Sequence, residues 1–482
     1  MDRKKLLGVL SATVVLTLTL ASCSAGTNDS ATSSGGTTDF VSVSLTNDSE
    51  SFFDAAVVHS IEIDVASDDV EAMVQTYLDS GDKEWLEATV VIDGETYEQV
   101  GIKLKGNSSL REVTTDTPFE ELPWRIRLDK YIDAQSVGGV TDFVVRTNNT
   151  ETALNEAVAL ELLSAAGLAT EEAVESAFSV NGSEDSLRLI VAVPNESWLE
   201  RNYEAGLLPS DDGILWKAES EGDYSWLGDD PDSYTDVFDR EVGDDDYQPL
   251  VDFLDVVNNT TDEEFVTQLP EVLDVDAFAR YLAIEDLMNN FDDIDGPGNN
   301  SYLYYDPDSA LMSVVAWDHN LAFGVVNEAG GGAPAGEARG GALVEGEVPE
   351  GGLPEGGIPE GAVPEGAPAG DRPAAGDAGA QGGGSAQQGN NILTTRFMES
   401  TEFAALYEEA LGDVKAELFE SGQFASIVES LSDTLSDQAS ELVDSAVIQS
   451  ETEAVLEYSS GEVKETAAGS RDGQEGTRPG GE

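Results

Sequence analysis

The sequence predicts an α+β protein, and three observations predict it. Strand-like alternation of apolar and polar residues runs through "IEIDV" (61–65), "EATVVIDGETYEQVGIKLKG" (87–106) and "PWRIRLDKY" (123–131). Helical spacing takes over in "ETALNEAVALELLSAAGL" (151–168) and "VDAFARYLAIEDLMNN" (275–290). After residue 391 the periodicity is helical throughout, which makes the C-terminal part helical.

The elements follow in order. "DDVEAMVQTYLD" (68–79) carries helical spacing between the first strand and a hairpin whose turn is Asp93-Gly94. The strand at 123–131 places Trp124, Ile126 and Leu128 on one face and Arg125 and Arg127 on the other. The helix at 151–168 stops on Gly167. Residues 210–250, with "DDGILWKAES", "LGDDPD" and "VGDDDY", read as an acidic, irregular insertion. The helix at 275–290 has Ala277, Tyr281, Ile284 and Met288 on one stripe, and "SYLYY" and "LMSVVAW" form a second hairpin around Asp306-Pro307-Asp308.

The two ends and one internal stretch read differently. Met1-Asp2-Arg3-Lys4-Lys5, the apolar run Leu6–Leu20 and Leu20-Ala21-Ser22-Cys23 have the parts of a secretory signal. Cys23 is the sole cysteine and stands at the junction, as in a bacterial lipobox. The expected organisation is a lipoprotein signal peptide at 1–23, a flexible tether at 24–39 and a folded domain at 40–458, with a polar tail at 459–482. Within the domain, a Gly/Pro/Glu-rich insertion at 328–391 cannot bury a core. The chain is then held at the outer face of the cell membrane by its lipid alone, as a monomer.

With 96 Asp and Glu against 23 Lys and Arg, the net charge of −73 repels nucleic acid and anionic membranes. Seven of the 23 bases nevertheless fall in one short span: Lys103, Lys105, Arg111, Arg125, Arg127, Lys130 and Arg146. Lys103 with Lys105, and Arg125 with Arg127, project to one face of two neighbouring strands, a patch that phosphate would suit. "GNSS" (106–109) adds backbone and hydroxyl donors.

A second cluster, "NNFDDIDGPGNNSYLYY" followed by "VVAWDHN", gathers carboxylates and amides of the kind that hold Mg²⁺ beside nucleotide phosphates. An EF-hand fails here, because Asp293 and Asp295 in its first and third positions put Pro297 and Tyr304 in its fifth and twelfth. Zinc and a Ser-His-Asp triad are weakly supported by two histidines, His59 and His319, which read as packing residues.

Together "VGIKLKGNSSL", "PWRIRLDKY", "LNEAVALELLSAAGL", "LMNNFDDIDGPGNNSYLYY" and "VVAWDHNLAFG" resemble, in order, the motifs of the CotH kinases, the spore-coat protein kinase family and its secreted relatives. The resemblance covers roughly residues 60–440. It implies an atypical protein-kinase-like bilobal fold with a mixed or antiparallel sheet and a helical C-terminal part. It also implies transfer of the γ-phosphoryl group of ATP, with Mg²⁺ or Mn²⁺, to Ser or Thr hydroxyls of a surface or envelope protein.

Carried over by residue, the resemblance makes Asp292 the catalytic-loop Asp, Asn300 the metal-holding Asn and Asp318 the metal-binding Asp. Asp295 competes with Asp292, since Asp295-x-x-x-x-Asn300 reproduces the ordinary kinase catalytic-loop spacing. Lys105 and Arg127, with Asn107 and Ser108 of the turn, would contact phosphate, and Glu156 would be the helix acid that pairs with the strand cation. Asn320 and Asn155 stand where many relatives carry an acid and an Arg. Those departures keep open a non-catalytic surface module or structural envelope lipoprotein on the same fold.

Overall fold

The structure is a computed structural model that describes residues 51–219, 222–290, 292–294, 300–325 and 391–463. Cys23 and the signal segment, the tether, Asp295, the insertion up to residue 390 and the tail beyond 463 lie outside the described residues.

The N-terminal half closes a mixed sheet into a barrel. Its elements are β1 (Val58–Asp64), α1 (Ser67–Ser80), β2 (Leu86–Ile92), β3 (Glu95–Leu104), β4 (Trp124–Arg127), β5 (Asp142–Val145), α2 (Leu154–Ala165), β6 (Ala173–Val180) and β7 (Ser186–Ala192). The strand order is β1-β2-β3-β4-β5-β7-β6, and a parallel pairing of β1 with β6 completes the circle while the other neighbours run antiparallel. The β2–β3 turn uses Asp93 (φ 51°) and Gly94 (φ 83°), both left-handed as a two-residue hairpin demands.

Alternation decides which residues fill the barrel. Ile61, Ile63, Val90, Ile92, Ile102, Leu104, Trp124, Ile126 and Phe143 are buried in one cluster, to which α1 adds Val70, Met73 and Val74. The register pairs Ile102 with Ile126 inward, so Lys103 and its partner Arg125 stand on the outer face.

The second sheet is antiparallel, in the order β11-β10-β8-β9. It consists of β8 (Ile214–Ala218), β9 (Phe238–Val242), β10 (Ser301–Asp306) and β11 (Leu311–Ala316). Residues 210–250 are therefore no insertion: they supply two of these four strands, with Trp216, Tyr234 and Phe238 fully buried. Apart from Asp239 and Glu241 of β9, their acidic residues lie outside the strands, and the five-residue strands are too short to show their alternation through that composition.

One face of this sheet, with Leu215, Tyr302, Tyr304 and Trp317, packs on α3 (Glu196–Glu204) through Trp198 and Leu199. The other, with Trp216, Leu303, Met312 and Val314, joins a large helical core. That core is built from α2, α4 (Gln248–Asn259), α5 (Asp262–Gln268), α6 (Val275–Met288), α7 (Ile392–Glu399), α8 (Thr401–Val414), α9 (Gln423–Gln438) and α10 (Ser445–Leu456).

The last helices reach back to the barrel half. Gln438 accepts from the Val58 N–H (3.0 Å) and donates to the Ala56 carbonyl (2.7 Å). Glu451 accepts from the backbone N–H groups of Glu151 (2.9 Å) and Thr152 (3.1 Å) and from the Thr152 hydroxyl. It thereby supplies acceptors just ahead of α2, where an acidic group is favoured.

Candidate active site

β11 is apolar to its end, and the chain then turns sharply at Asp318, whose backbone is left-handed (φ 67°, ψ 61°). For a residue with a Cβ this conformation costs about 1–2 kcal/mol and persists only where its surroundings hold it. Here they do. The Asp318 N–H donates to Glu171 (3.3 Å), and the next residue, His319, is buried with its Nε2 2.7 Å from Glu285 of α6. Asn290 donates to the other Glu285 oxygen (2.9 Å). Asn155 of α2 donates to the carbonyls of Asn320 (2.9 Å) and Ala322 (3.4 Å), clamping the far side of the turn.

The side chain of Asp318 meets Arg146, which follows directly on β5, at 2.9 Å. The same guanidinium nitrogen is ion-paired with Glu156 in the first turn of α2. A strand cation, a helix acid and a strand-end acid thus form one group, buried at Glu156 and partly exposed at Asp318. Burial opposes the charge on Arg146, but Glu156, Asp318 and Glu171 together hold its pKa above the ordinary arginine value. Glu171 is pushed up to about 8, first by burial and then by neighbouring Glu156 and Asp318 against the opposing pull of Arg146. In His319, burial works against protonation and Glu285 outweighs it, raising the imidazole above its usual value.

Asp292 lies close enough to Asp318 for their charges to interact, and burial followed by that repulsion raises its pKa to about 6. Asn300 donates from its amide to the Asp292 carbonyl (2.7 Å) and hydrogen-bonds the Asp292 carboxylate. On the other side of the centre, Lys105 lies 5.7 Å and Arg146 6.0 Å from the centre of the Trp317 ring. Lys105 makes no ion pair among the described residues; burial, then Lys217 and Arg125, lower its pKa to about 8. An anion arriving there would relieve that crowding.

Asp292, Asp318 and Asn300 are a hard, all-oxygen donor set in which two carboxylates repel, and such a set suits a divalent cation. Among the described residues no three Asp, Glu, His or Cys side chains converge as a ready cage. Mg²⁺ fits such a partial site, since it keeps several waters and completes its shell with substrate phosphates.

The expected residues therefore fall into two groups. Asp292, Asn300, Asp318 and Glu156 gather at one centre, and Lys105 shares the Trp317 ring with Arg146 of that centre. Glu156 is paired with Arg146, however, and not with Lys105 or Arg127. Arg127 bonds Asp129 (2.8 Å) with 42% of its side chain exposed, on the outer barrel face. Asn107 accepts from Lys83 (3.2 Å), and Ser108 is exposed in a single tight turn.

Arg146, Glu171 and Glu285 belong to this centre although the sequence reading gave none of them a place in it; Arg146 was noted only among the clustered bases. A signal for Arg146 was present, a cation set directly after the apolar "FVV" of β5 in an acid-rich chain. No local pattern marks the two glutamates.

The sequence profile of the family described as CotH kinase protein matches residues 102–465, from within β3 to beyond α10. No curated protein matches the chain. The matched span contains every residue of the centre just described, and the chain belongs to the CotH kinase protein family.

Proposed function

We propose that this chain is an extracytoplasmic protein kinase that transfers the γ-phosphoryl group of ATP to Ser or Thr hydroxyls of surface or envelope proteins. The observation that carries the reading is the Arg146–Glu156 ion pair in contact with Asp318. Protein kinases need a strand cation paired to a helix acid and a metal-binding Asp at the end of a strand, both in place at once. In this reading the barrel is the smaller lobe of a kinase-like bilobal fold, and the second sheet with its helices is the larger.

Each residue then has a task. Asp318 and Asn300 would hold Mg²⁺ or Mn²⁺, which when bound neutralises charge on the phosphates. Lys105 would meet phosphate oxygens, and Arg146 would keep Asp318 aimed. Asp292 would accept the proton of the attacking hydroxyl; with a pKa of about 6 it is ionised at neutral pH yet more basic than an ordinary aspartate.

The test is label transfer from γ-labelled ATP to a Ser-rich protein by the purified full chain with Mg²⁺ or Mn²⁺. Asp318→Asn should lower the rate by about 10²-fold or more. Equal labelling by wild type and Asp318→Asn sinks the enzyme reading.

A second reading, a non-catalytic nucleotide-binding module, draws on Asn155 and Asn320, which by the resemblance stand where many relatives carry an Arg and an acid; here the Asn155 amide donates to the Asn320 main-chain carbonyl. It predicts a thermal shift with Mg-ATP and no transfer. Lipid anchoring at Cys23 rests on the sole cysteine standing at a lipobox-like junction. Labelled fatty acid should enter the wild type and not Cys23→Ala.

A further inference from the structure

On the outer face of the barrel, one indole is crowded by cations. Lys103 and Lys130 each place Nζ 4.8 Å from the centre of the Trp85 ring, and Arg125 lies at 5.9 Å. Gly101 of β3 makes this possible, because a Cβ there would meet Lys130 at 2.5 Å and the Trp85 ring at 3.1 Å. The lysine stem and the indole lie against bare backbone.

Arg125 is neutralised by Asp142 through three contacts of 2.7–3.2 Å. Lys103 and Lys130 have no ion-pair partner among the described residues, although acids outnumber bases 96 to 23 in the chain. Burial, then Arg125 and Lys83, lower the pKa of Lys103 against the opposing pull of Asp142.

Two lysines without an ion-pair partner among the described residues give an excess of two positive charges around one indole. A phosphate monoester, with a charge of about −1.5 to −2 and three acceptor oxygens, matches it better than a carboxylate. The indole beside them offers a flat apolar surface to the chain that carries the phosphate.

We propose that Trp85, Lys103 and Lys130 form a second anion site, one that binds a phosphorylated Ser or Thr side chain of a peptide. It neighbours Lys105 through Arg125 but is separate from the Asp318 centre. If the chain is the kinase proposed above, the site retains an already modified segment of its substrate; the binding itself does not depend on that reading.

The experiment titrates the full chain with a Ser-rich peptide bearing one phosphoserine, with its unmodified twin and with inorganic phosphate, followed by calorimetry and tryptophan fluorescence. The phosphopeptide should bind more tightly than the other two. Lys103→Met with Lys130→Met should weaken it about tenfold at an unchanged melting temperature. Trp85→Phe, which retains a ring, should bind and lose the fluorescence change. Saturating Mg-ATP should not displace the peptide, and Asp318→Asn should bind it as the wild type does, which separates this site from the kinase reading. Equal binding by the double variant, displacement by Mg-ATP, or inorganic phosphate binding as tightly as the phosphopeptide would each overturn the proposal.

Discussion

Arg146 and Lys105 flank the same tryptophan, Trp317, and meet opposite surroundings. Arg146 is ringed by Glu156, Asp318 and Glu171, which keep it charged in spite of burial. Lys105 is buried beside Lys217 and Arg125 and has its pKa lowered to about 8. Burial alone therefore does not decide what a cation does. Acids around a cation tie it into the structure, and cations around one weaken its hold on its own proton.

The comparison breaks most visibly at Arg146. Arg146→Met would strand Glu156 and Asp318 without their counter-charge, and a loss of roughly 3–5 kcal/mol in urea unfolding is expected, with transfer abolished. Lys105→Met should do the reverse. Stability should stay within about 1 kcal/mol of wild type, while the apparent affinity for Mg-ATP falls about tenfold. If both substitutions destabilise equally, the distinction fails.

Acidity sharpens the contrast further. Glu171 titrates near 8 when folded against an ordinary 4.5, so between those values the folded chain holds the extra proton. Its contribution to stability is complete below about pH 4.5 and is lost as pH rises towards 8, the opposite of a salt-bridged carboxylate. Melting temperatures between pH 5 and 8 should show a downward trend, shared with Glu161 and Glu175, whose pKa values burial also raises, that Glu171→Gln makes shallower. Transfer should depend on Asp292 in the other direction, falling about tenfold per unit as pH drops below about 6. The smallest effect belongs to Arg127→Gln, whose exposed pair with Asp129 is worth about 0.2–1 kcal/mol and lies outside the centre.

Much of this was legible in the sequence where a residue's neighbours lie within a few positions. The hairpin turn at Asp93-Gly94, the inward face of Trp124 and Ile126, and the strand-end Asp318 all follow from local spacing. What resisted reading depends on distant partners. β5 is four residues long, and β6 sets Ser176 in line with inward Val174 and Phe178 while burying Glu175 and Ser179 on its other face. Glu156 found its cation ten residues back, not across the hairpin, because the barrel brings the end of β5 beside α2. Glu285 became the partner of His319 only through the packing of α6 against the turn.

Glu451 and Gln438 carry one more consequence. They stand more than a hundred residues beyond Asp318, yet they bond the start of α2 and the approach to β1. A ribosome delivers the chain from its N-terminus onward, so the barrel, Arg146 and Asp318 all emerge before the helices that fasten α2. The fastening of the start of α2 and of β1 thus waits for α9 and α10, and a chain that has not yet delivered those helices lacks both clasps.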